Sequence, residues 1–410
     1  MGLDSLFRFR NLEETLVIIL DIGSASVGGA LVLFNKTTAP FVVYTVRREI
    51  KFHQKIDFER FILSTKDTLD EVIGYLQKEG LFYLKLKGRS RLTPEAVHCI
   101  FGAPWYASQV RTLHVSREKP IRVNRDSLSE ILTKEIHSFE DMESERYFRE
   151  GIKRGEMELV EKETLWVKLN GYEVKKPYNR LAKELEVLLY LSVVPTEVVK
   201  IIHDRVTRAF HVETVVFHSS SLAFWSTIRD MWHNEEDYLV VDISGEITEI
   251  SLVRGGKLIE TASIPLGKNF FVRKIASRLK ISLHEAFSLF NLYITEKGSE
   301  DAMRQVKEIL TELKKEWLDR FQEALDALNE GLFLPTRMFL ITDSFFTQWF
   351  LDIIKKADPS RGSLSTESFF ITPVDDRAFE EAIHLGDALR KDPFLFMETV
   401  FVEKMFQLEE

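Results

Sequence analysis

The amino-acid sequence predicts an α/β fold of two lobes, each a mixed sheet flanked by helices, with an α+β subdomain inserted in the first lobe. The main observation is a repeat: LVIILDIGSASVGGALVLF (16–34) and LVVDISGEITEISLV (239–253) share one pattern. Each is an apolar strand that ends in Asp-Ile, followed by a turn of small residues and a second apolar strand. The pattern then changes between residues 94 and 195, which indicates the insertion. The two copies, which we call the first and the second hairpin, predict two similar lobes.

The hairpins also predict a chemistry. Each turn directs backbone N–H groups at one point and sets a carboxylate, Asp21 or Asp242, beside them. That combination suits a phosphate chain with a divalent cation. Two such units in two lobes predict that the lobes enclose one nucleotide.

The remaining pattern divides the chain. A strand meander at 15–21, 28–35 and 41–47 precedes a helix at about 57–79, and strands and helices of different texture follow from EAVHCIFG (95–102) onward. We expect five units: a first lobe at 14–93, an inserted subdomain at 94–195, the rest of the first lobe at 196–235, a second lobe at 236–390 with a helical part at about 275–332, and an amphipathic tail at 391–410.

Composition excludes several classes of protein. The chain has 410 residues and a formal net charge of −9, which argues against a nucleic-acid-binding surface. Its one cysteine, Cys99, allows no disulfide within the chain and fits a reducing compartment. The start MGLDSLFRFRNLEE lacks the apolar core of a secretory signal, and no apolar run is long enough to span a bilayer. We therefore expect a cytoplasmic protein, one that can work at the cytoplasmic face of the inner membrane.

The order of elements resembles the actin-like ATPases. Within them the sequence is most similar to the bacterial cell-division protein FtsA, with the pilus-assembly protein PilM close behind. DIGSASVGGALV is similar to the first phosphate motif, and YLVVDISGEITEISLVRGGKLIETASIPLGKNF to the second. The insertion stands where FtsA and PilM carry their distinctive subdomain, and NGYEVKKPYNRLAKELEV and HSSSLAFWSTI resemble further FtsA segments.

The resemblance implies Mg-ATP between the hairpins. It places Asp21 and Asp242 near Mg²⁺ through water, and the phosphates beside the remaining site residues, Gly23, Ser24, Ser26, Ser244, Gly245, Thr248 and Gly267. The alternative for Asp21 is an inherited tight turn, and for Asp242 an Asx-type turn at a strand end. No Glu or Gln is placed to position a hydrolytic water, and the ten His residues lack ligand spacing. We therefore predict no catalytic residue and no structural metal.

Departures from the family pattern weaken the nucleotide site. The second phosphate loop reads DISGEITE where the family has Asp-Ile-Gly-Gly-Gly-Thr-Thr-Asp, so two glycines are lost and Glu246 enters. Phe287 replaces an expected Glu, and Phe345 and Phe346 replace small residues beside adenine. Binding of ATP and Mg²⁺ is therefore expected to be weak or absent, and efficient ATP hydrolysis is not expected.

Three functions remain open on this evidence. The first is an FtsA-like cytoskeletal scaffold of cell division that self-associates and recruits partners at the inner membrane. The second is a PilM-like adaptor of type IV pilus assembly that grips the cytoplasmic tail of a membrane protein, and the third an active ATPase or kinase. The Phe/Met stripe of the tail carries acidic neighbours, which disfavour anionic lipid. We therefore expect the tail to pack on the second lobe or on a partner, without inserting in the membrane.

Overall fold

The structure is a computed structural model of the chain. It describes residues 14–51, 53, 57–89, 91–149, 156–328, 334–357, 368–386 and 389–407. Three sheets organise these residues, with orders β15-β3-β2-β1-β4-β9, β12-β11-β10-β13-β14 and β5-β8-β6-β7.

The first lobe is built on the six-stranded sheet. Its strands are β1 (Thr15–Ile22), β2 (Ser26–Phe34), β3 (Phe41–Glu49), β4 (Ala96–Phe101), β9 (Thr214–Ser219) and β15 (His384–Leu385). β1 is apolar at nearly every position because both of its faces are buried. Its even-numbered residues pack toward α1 (Phe58–Tyr75), a π-helical turn (Leu76–Gly80), α2 (Leu81–Leu86) and α4 (Thr196–Phe210). Its odd-numbered residues pack toward α5 (Ser220–Met231) and α10 (Pro393–Gln407).

The second lobe repeats this arrangement. Its strands are β10 (Tyr238–Ile243), β11 (Thr248–Arg254), β12 (Lys257–Ile264), β13 (Arg337–Thr342) and β14 (Phe370–Pro373). One face is covered by α6 (Lys268–Leu279), α7 (Leu283–Ile294), α8 (Glu300–Leu328) and α9 (Thr347–Ile354), around the buried aromatic side chains of Phe271, Phe290 and Trp317. β10 pairs antiparallel with β11 and parallel with β13, as β1 pairs with β2 and β4. The repeat seen in the sequence is therefore a repeat of topology.

The inserted subdomain is an antiparallel sheet with one long helix. Its elements are β5 (Ala107–Arg122), α3 (Arg125–Arg149), β6 (Met157–Leu169), β7 (Tyr172–Glu173) and β8 (Leu181–Pro195). The predicted start at residue 94 is wrong, because β4 pairs with β1 and β9 in the sheet of the first lobe. The insertion proper begins after β4. The charged segment ESERYFR (143–149) is the last part of α3.

The end of the chain returns to the first lobe. After a 3-10 turn at Asp376–Phe379, β15 pairs with β3, so the second lobe does not extend to residue 390 as expected. α10 then packs against β1, β2 and α5. Side chains on several faces of α10 are buried, among them Phe396, Glu398 and Phe401. The tail is thus a central helix of its own chain. We expected it to be amphipathic and to pack one face on the second lobe or on a partner. Residues 408–410 of the predicted tail lie outside the described part.

Among the residues that are described, no helix is both long enough and apolar enough to cross a membrane.

Candidate functional site between the two hairpins

The turns of the two hairpins contact each other directly. The hydroxyl oxygens of Ser24 and Ser244 lie 3.0 Å apart, and the backbone N–H of Glu246 donates to Ser24 Oγ at 3.0 Å. Gly245 packs so closely on Ala25 that an added Cβ would lie 2.7 Å from the Ala25 Cβ. The two turns therefore touch where Ser24 and Ala25 meet the second turn.

Backbone N–H groups at this site are bonded within the protein. In the turns, Gly23 N–H donates to Ser26 O and Ser244 N–H to Ile247 O, both at 3.1 Å. At the start of α6, the N–H groups of Gly267, Lys268 and Asn269 donate to carbonyl oxygens of the second turn (Glu246 O, Ser244 O and Gly245 O) at 2.9, 3.0 and 2.8 Å. The backbone N–H groups of Gly23, Ser244 and Gly267, which the resemblance places beside phosphate, thus already have acceptors in the protein.

Asp21 is neutralised by an arginine from β3. Arg47 Nη2 lies 2.7 Å from Asp21 Oδ2, and both side chains are largely buried. The same guanidinium donates from Nε to Asp392 Oδ2 at 2.7 Å and from Nη1 to Ser26 Oγ at 2.9 Å. Burial raises the pKa of Asp21, and the Arg47 charge opposes that rise. Asp21 and Ser26 are predicted to face Mg²⁺ and phosphate, but in the structure Asp21 forms an ion pair with Arg47 and Ser26 accepts a hydrogen bond from it.

Asp242 shares its place in the fold with Asp21 but has a different environment. Its Oδ1 is buried without a hydrogen-bond partner, and Glu249 lies opposite it on β11. Burial, then Glu249 and Asp21, raises the pKa of Asp242 well above its ordinary value. Both carboxyl oxygens of Glu398 on α10 are also buried and unpartnered, and burial, then Asp21, raises its pKa. Burial thus disfavours the ionised form of both acids.

Glu246 and Thr248 point away from the space between the turns. The Glu246 carboxylate accepts from Asn269 Nδ2 at 2.8 Å and from Arg273 Nη1 at 3.0 Å. Thr248 Oγ1 donates to Leu266 O at 2.8 Å. The charge that Glu246 brings into the second turn is therefore paired with Arg273.

On the adenosine side, aromatic side chains belong to the core of the second lobe. Phe346 is buried, with its ring centroid 5.5 Å from that of Phe290, while Phe345 is 41% exposed. Phe287 packs against the same core. Lys268 Nζ lies 3.2 Å from Asp343 Oδ2 and closes this side with an ion pair.

The remaining cavity is small. Its volume is about 160 Å³, and its lining includes Asp21, Ser24, Asp242, Gly245 and Lys268. Small-molecule sites usually measure about 300–1,000 Å³. Within the described ranges, no group of three or more His, Cys, Asp or Glu side chains is arranged to hold a metal ion. The cavity is therefore smaller than a usual small-molecule site.

Sequence reasoning missed two of these residues and a buried polar chain. Arg47 and Asp392 carry no motif: strand register brings Arg47 to Asp21, and the return of the chain before α10 brings Asp392 to Arg47. A buried chain also joins the subdomain to the first lobe: His98 Nδ1 lies 3.0 Å from His218 Nε2, and His218 Nδ1 lies 3.4 Å from Glu161 Oε1. No sequence spacing links these three residues, because each comes from a different strand.

Comparison with known proteins identifies the fold. No protein-family model matches the sequence, and no curated protein matches it. The structure is similar to that of a PilM–PilN type IV pilus biogenesis complex, with 17% identity, a TM-score of 0.59, and coverage of 98% of this chain and 100% of that chain. It also matches the ethanolamine utilization protein EutJ from Carboxydothermus hydrogenoformans (12% identity, TM-score 0.39, 98% and 93% coverage). A third match is a Bacteroides thetaiotaomicron protein with an actin-like ATPase fold and unknown function (9%, 0.39, 95% and 96%).

The chain thus has the actin-like two-lobed fold, as the sequence predicts, and its whole length is similar to PilM.

Proposed function

We propose that this protein is a PilM-like adaptor that binds the cytoplasmic tail of a pilus membrane protein at the inner membrane and does not turn over ATP efficiently. The observation that carries the proposal is the direct contact of the two hairpin turns, with Arg47 on Asp21. A chain that keeps the two lobes and fills the nucleotide site with its own side chains is suited to binding other proteins. The similarity to PilM over the whole chain supports this choice of partner.

The inserted subdomain offers a contact surface. Exposed large apolar side chains lie on its strands and on the turn before β8: Ile121, Tyr172, Tyr178 and Leu181, at 38%, 79%, 43% and 61% exposure. Large exposed apolar groups are candidates for an interaction surface. We propose these side chains as the surface for the partner or for self-association.

The second candidate is an FtsA-like scaffold of cell division, and the actin-like fold accommodates it equally. An FtsA-like protein commonly reaches the membrane through a C-terminal amphipathic helix. Here residues Pro393–Gln407 are packed against β1, β2 and α5. This packing favours recruitment through a partner, and hence the adaptor, over direct lipid binding by that helix.

The proposal is tested by calorimetry with the purified full chain. The titrants are a synthetic peptide of the cytoplasmic tail of a pilus membrane protein and, separately, one from a division protein. We expect binding of the pilus peptide at about micromolar Kd, close to −8 kcal/mol. Binding of the division peptide alone would instead support the scaffold.

A matched pair of variants locates the surface. Tyr172→Ser with Leu181→Ser removes exposed apolar groups of the subdomain, and Phe82→Ser with Leu86→Ser removes two from α2, where they are 56% and 68% exposed. We expect only the first pair to weaken peptide binding, by about tenfold or more, since a central apolar anchor contributes 1–2 kcal/mol or more. Equal weakening by both pairs would exclude the subdomain surface.

Turnover is tested separately. Mg-ATP is expected to bind more weakly than micromolar and to be hydrolysed no faster than by a buffer control. Micromolar Mg-ATP binding that Asp21→Ala abolishes would contradict this part and favour an active ATPase or kinase.

A further inference from the structure

Arg47 reaches Asp21 because three neighbouring strands are in register. Asp21 on β1 lies opposite Gly28 on β2, and Gly28 lies opposite Arg47 on β3. An added Cβ on Gly28 would lie 2.7 Å from Arg47 Nη2 and 2.9 Å from Arg47 Cζ. The absence of a side chain at Gly28 therefore lets the guanidinium cross over β2.

The guanidinium is surrounded by oxygen atoms from three side chains. It contacts Asp21 Oδ2 at 2.7 Å, Ser26 Oγ at 2.9 Å and both oxygens of Asp392, at 2.7 and 3.0 Å. Carboxylate and hydroxyl oxygens are the ligands of hard divalent cations. Arg47 thus presents a fixed positive charge to the carboxylate that the resemblance assigns to Mg²⁺.

Asp392 connects this charge to the centre of the molecule. Its carboxylate also accepts from the N–H of Leu395 at 3.3 Å, at the start of α10, and the ring of Phe394 lies 5.3 Å from Arg47 Cζ. α10 packs on the inner face of the first-lobe sheet, in the apolar cluster that also contains β10 and β13. One guanidinium therefore ties the first hairpin to the helix between the two sheets.

We infer that Arg47 is a built-in counter-ion of the cleft, which takes the place of a metal ion beside Asp21 and ties the first hairpin to α10. The inference rests on the part of the proposed function that concerns ATP and not on the part that concerns the partner. Its test uses no partner, so the adaptor role can fail while the inference stands, and the Arg47 variants can fail the inference while the adaptor role stands.

The experiment is a thermal unfolding series on the full chain, without addition, with millimolar MgCl₂ and with millimolar Mg-ATP. The variants are Arg47→Ala and, as the matched control, Arg48→Ala, whose guanidinium lies over the Tyr75 ring and donates to Arg47 O. Wild type and Arg48→Ala should show no shift with either addition. Arg47→Ala should unfold about 5 °C or more below wild type, because two buried carboxylates lose their counter-ion. It should also gain a stabilising shift with MgCl₂.

Three results would overturn the inference. Wild type stabilised by Mg-ATP would show that the site accepts nucleotide. Arg47→Ala that unfolds no lower than Arg48→Ala would show that the guanidinium does not hold the first hairpin to α10. Arg47→Ala that is destabilised without responding to MgCl₂ would leave a structural ion pair and no substitute for a metal. If Arg47→Ala does not fold, Arg47→Lys replaces it with the same criteria, since an ammonium cannot bridge Asp21, Ser26 and Asp392 in the same planar geometry.

Discussion

The two hairpins occupy equivalent positions in their lobes, but their aspartates have opposite environments. In the first, Asp21 at the end of β1 is paired with Arg47 at 2.7 Å. In the second, Asp242 at the end of β10 is buried with Oδ1 unpartnered, and its neighbour Glu246 turns to Arg273. By sequence, the first hairpin resembles the phosphate motif of the actin-like ATPases, and the second differs from it at two glycines. The two aspartates thus differ both in sequence context and in environment.

This difference shows that a motif in the sequence does not tell whether its carboxylate is free or is already paired within the protein. Asp-Ile-Gly-Ser at 21–24 resembles the phosphate motif, but Arg47 from β3 pairs with its carboxylate. The second turn departs from that motif, and N–H groups at the start of α6 donate to its carbonyl oxygens. The chemistry of the cleft therefore depends on which protein groups already bind the turn residues, and not on the sequence of the motifs alone.

The largest expected effect contrasts the two turn glycines. Gly245→Ala would place a Cβ 2.7 Å from Ala25 N, across the contact between hairpins, whereas Gly23→Ala meets Ser26 O at 3.2 Å within its own turn. Overpacking of this kind costs about 1–3 kcal/mol, so we expect about 3 kcal/mol for Gly245→Ala and less than about 1 for Gly23→Ala. Urea unfolding monitored by tryptophan fluorescence measures both. Equal costs would show that the turns do not press on each other in solution.

The next effect contrasts the two aspartates. Asp21→Asn removes one of the two carboxylates of a buried arginine and should cost about 2 kcal/mol of unfolding free energy at neutral pH. Asp242→Asn replaces an acid whose pKa burial already raises, so it should be neutral or stabilising. The same urea titration compares them. A larger cost at Asp242 would reverse our assignment of the paired and the unpaired acid.

A pH dependence follows from the unpaired side of the cleft. Burial raises the pKa of Glu249 to about 7, although the Tyr106 hydroxyl donates to it at 2.5 Å and so opposes the rise; Asp242 faces it from β10. The folded chain therefore holds a proton that the unfolded chain releases near pH 4.3. The resulting stability is complete below that pH and is lost as pH rises through about 7, with a slope of up to about 1.4 kcal/mol per pH unit.

The measurement is urea unfolding between about pH 5 and pH 8. Glu249→Gln should flatten the profile, while Glu323→Gln on the exposed face of α8 should leave it unchanged. The profile should not become level, because burial also raises the pKa of Glu161 to about 7. Stability that increases with pH in wild type would contradict the raised values.

The sequence predicted most strands because their signal is local. Runs such as TLVIILDI are apolar at nearly every position, and the hairpin repeat fixed the two lobes. The start of the insertion was misplaced because β4 is a first-lobe strand whose partners, β1 and β9, lie far away in the sequence. The burial of α10 on several faces was missed because a Phe/Met stripe cannot show that a helix lies between two sheets. The ion pairs around Asp21 were missed for the same reason: Arg47 reaches Asp21 through strand register, and Asp392 reaches Arg47 through the return of the chain.

The smallest expected effect concerns the serines that join the turns. Ser24 Oγ contacts Ser244 Oγ at 3.0 Å and also accepts from Glu246 N–H at 3.0 Å, whereas Ser244 Oγ otherwise contacts only Ile247 O of its own turn, at 3.2 Å. Ser24→Ala therefore leaves a buried N–H without that acceptor and should cost about 1–2 kcal/mol. Ser244→Ala leaves the bond between Ser24 and Glu246 intact and should cost about 0.5 kcal/mol.

A double-mutant cycle on the two serines then isolates the contact between the lobes. If the hydroxyls meet in solution, the double variant should cost less than the sum of the single variants, with a coupling of about 0.5 kcal/mol. Additive costs would mean that the hairpins stand apart and that each serine acts only within its own lobe. In that case the two turns do not touch in solution. Of the contrasts drawn between the hairpins, only the pairing of Asp21 with Arg47 would then remain.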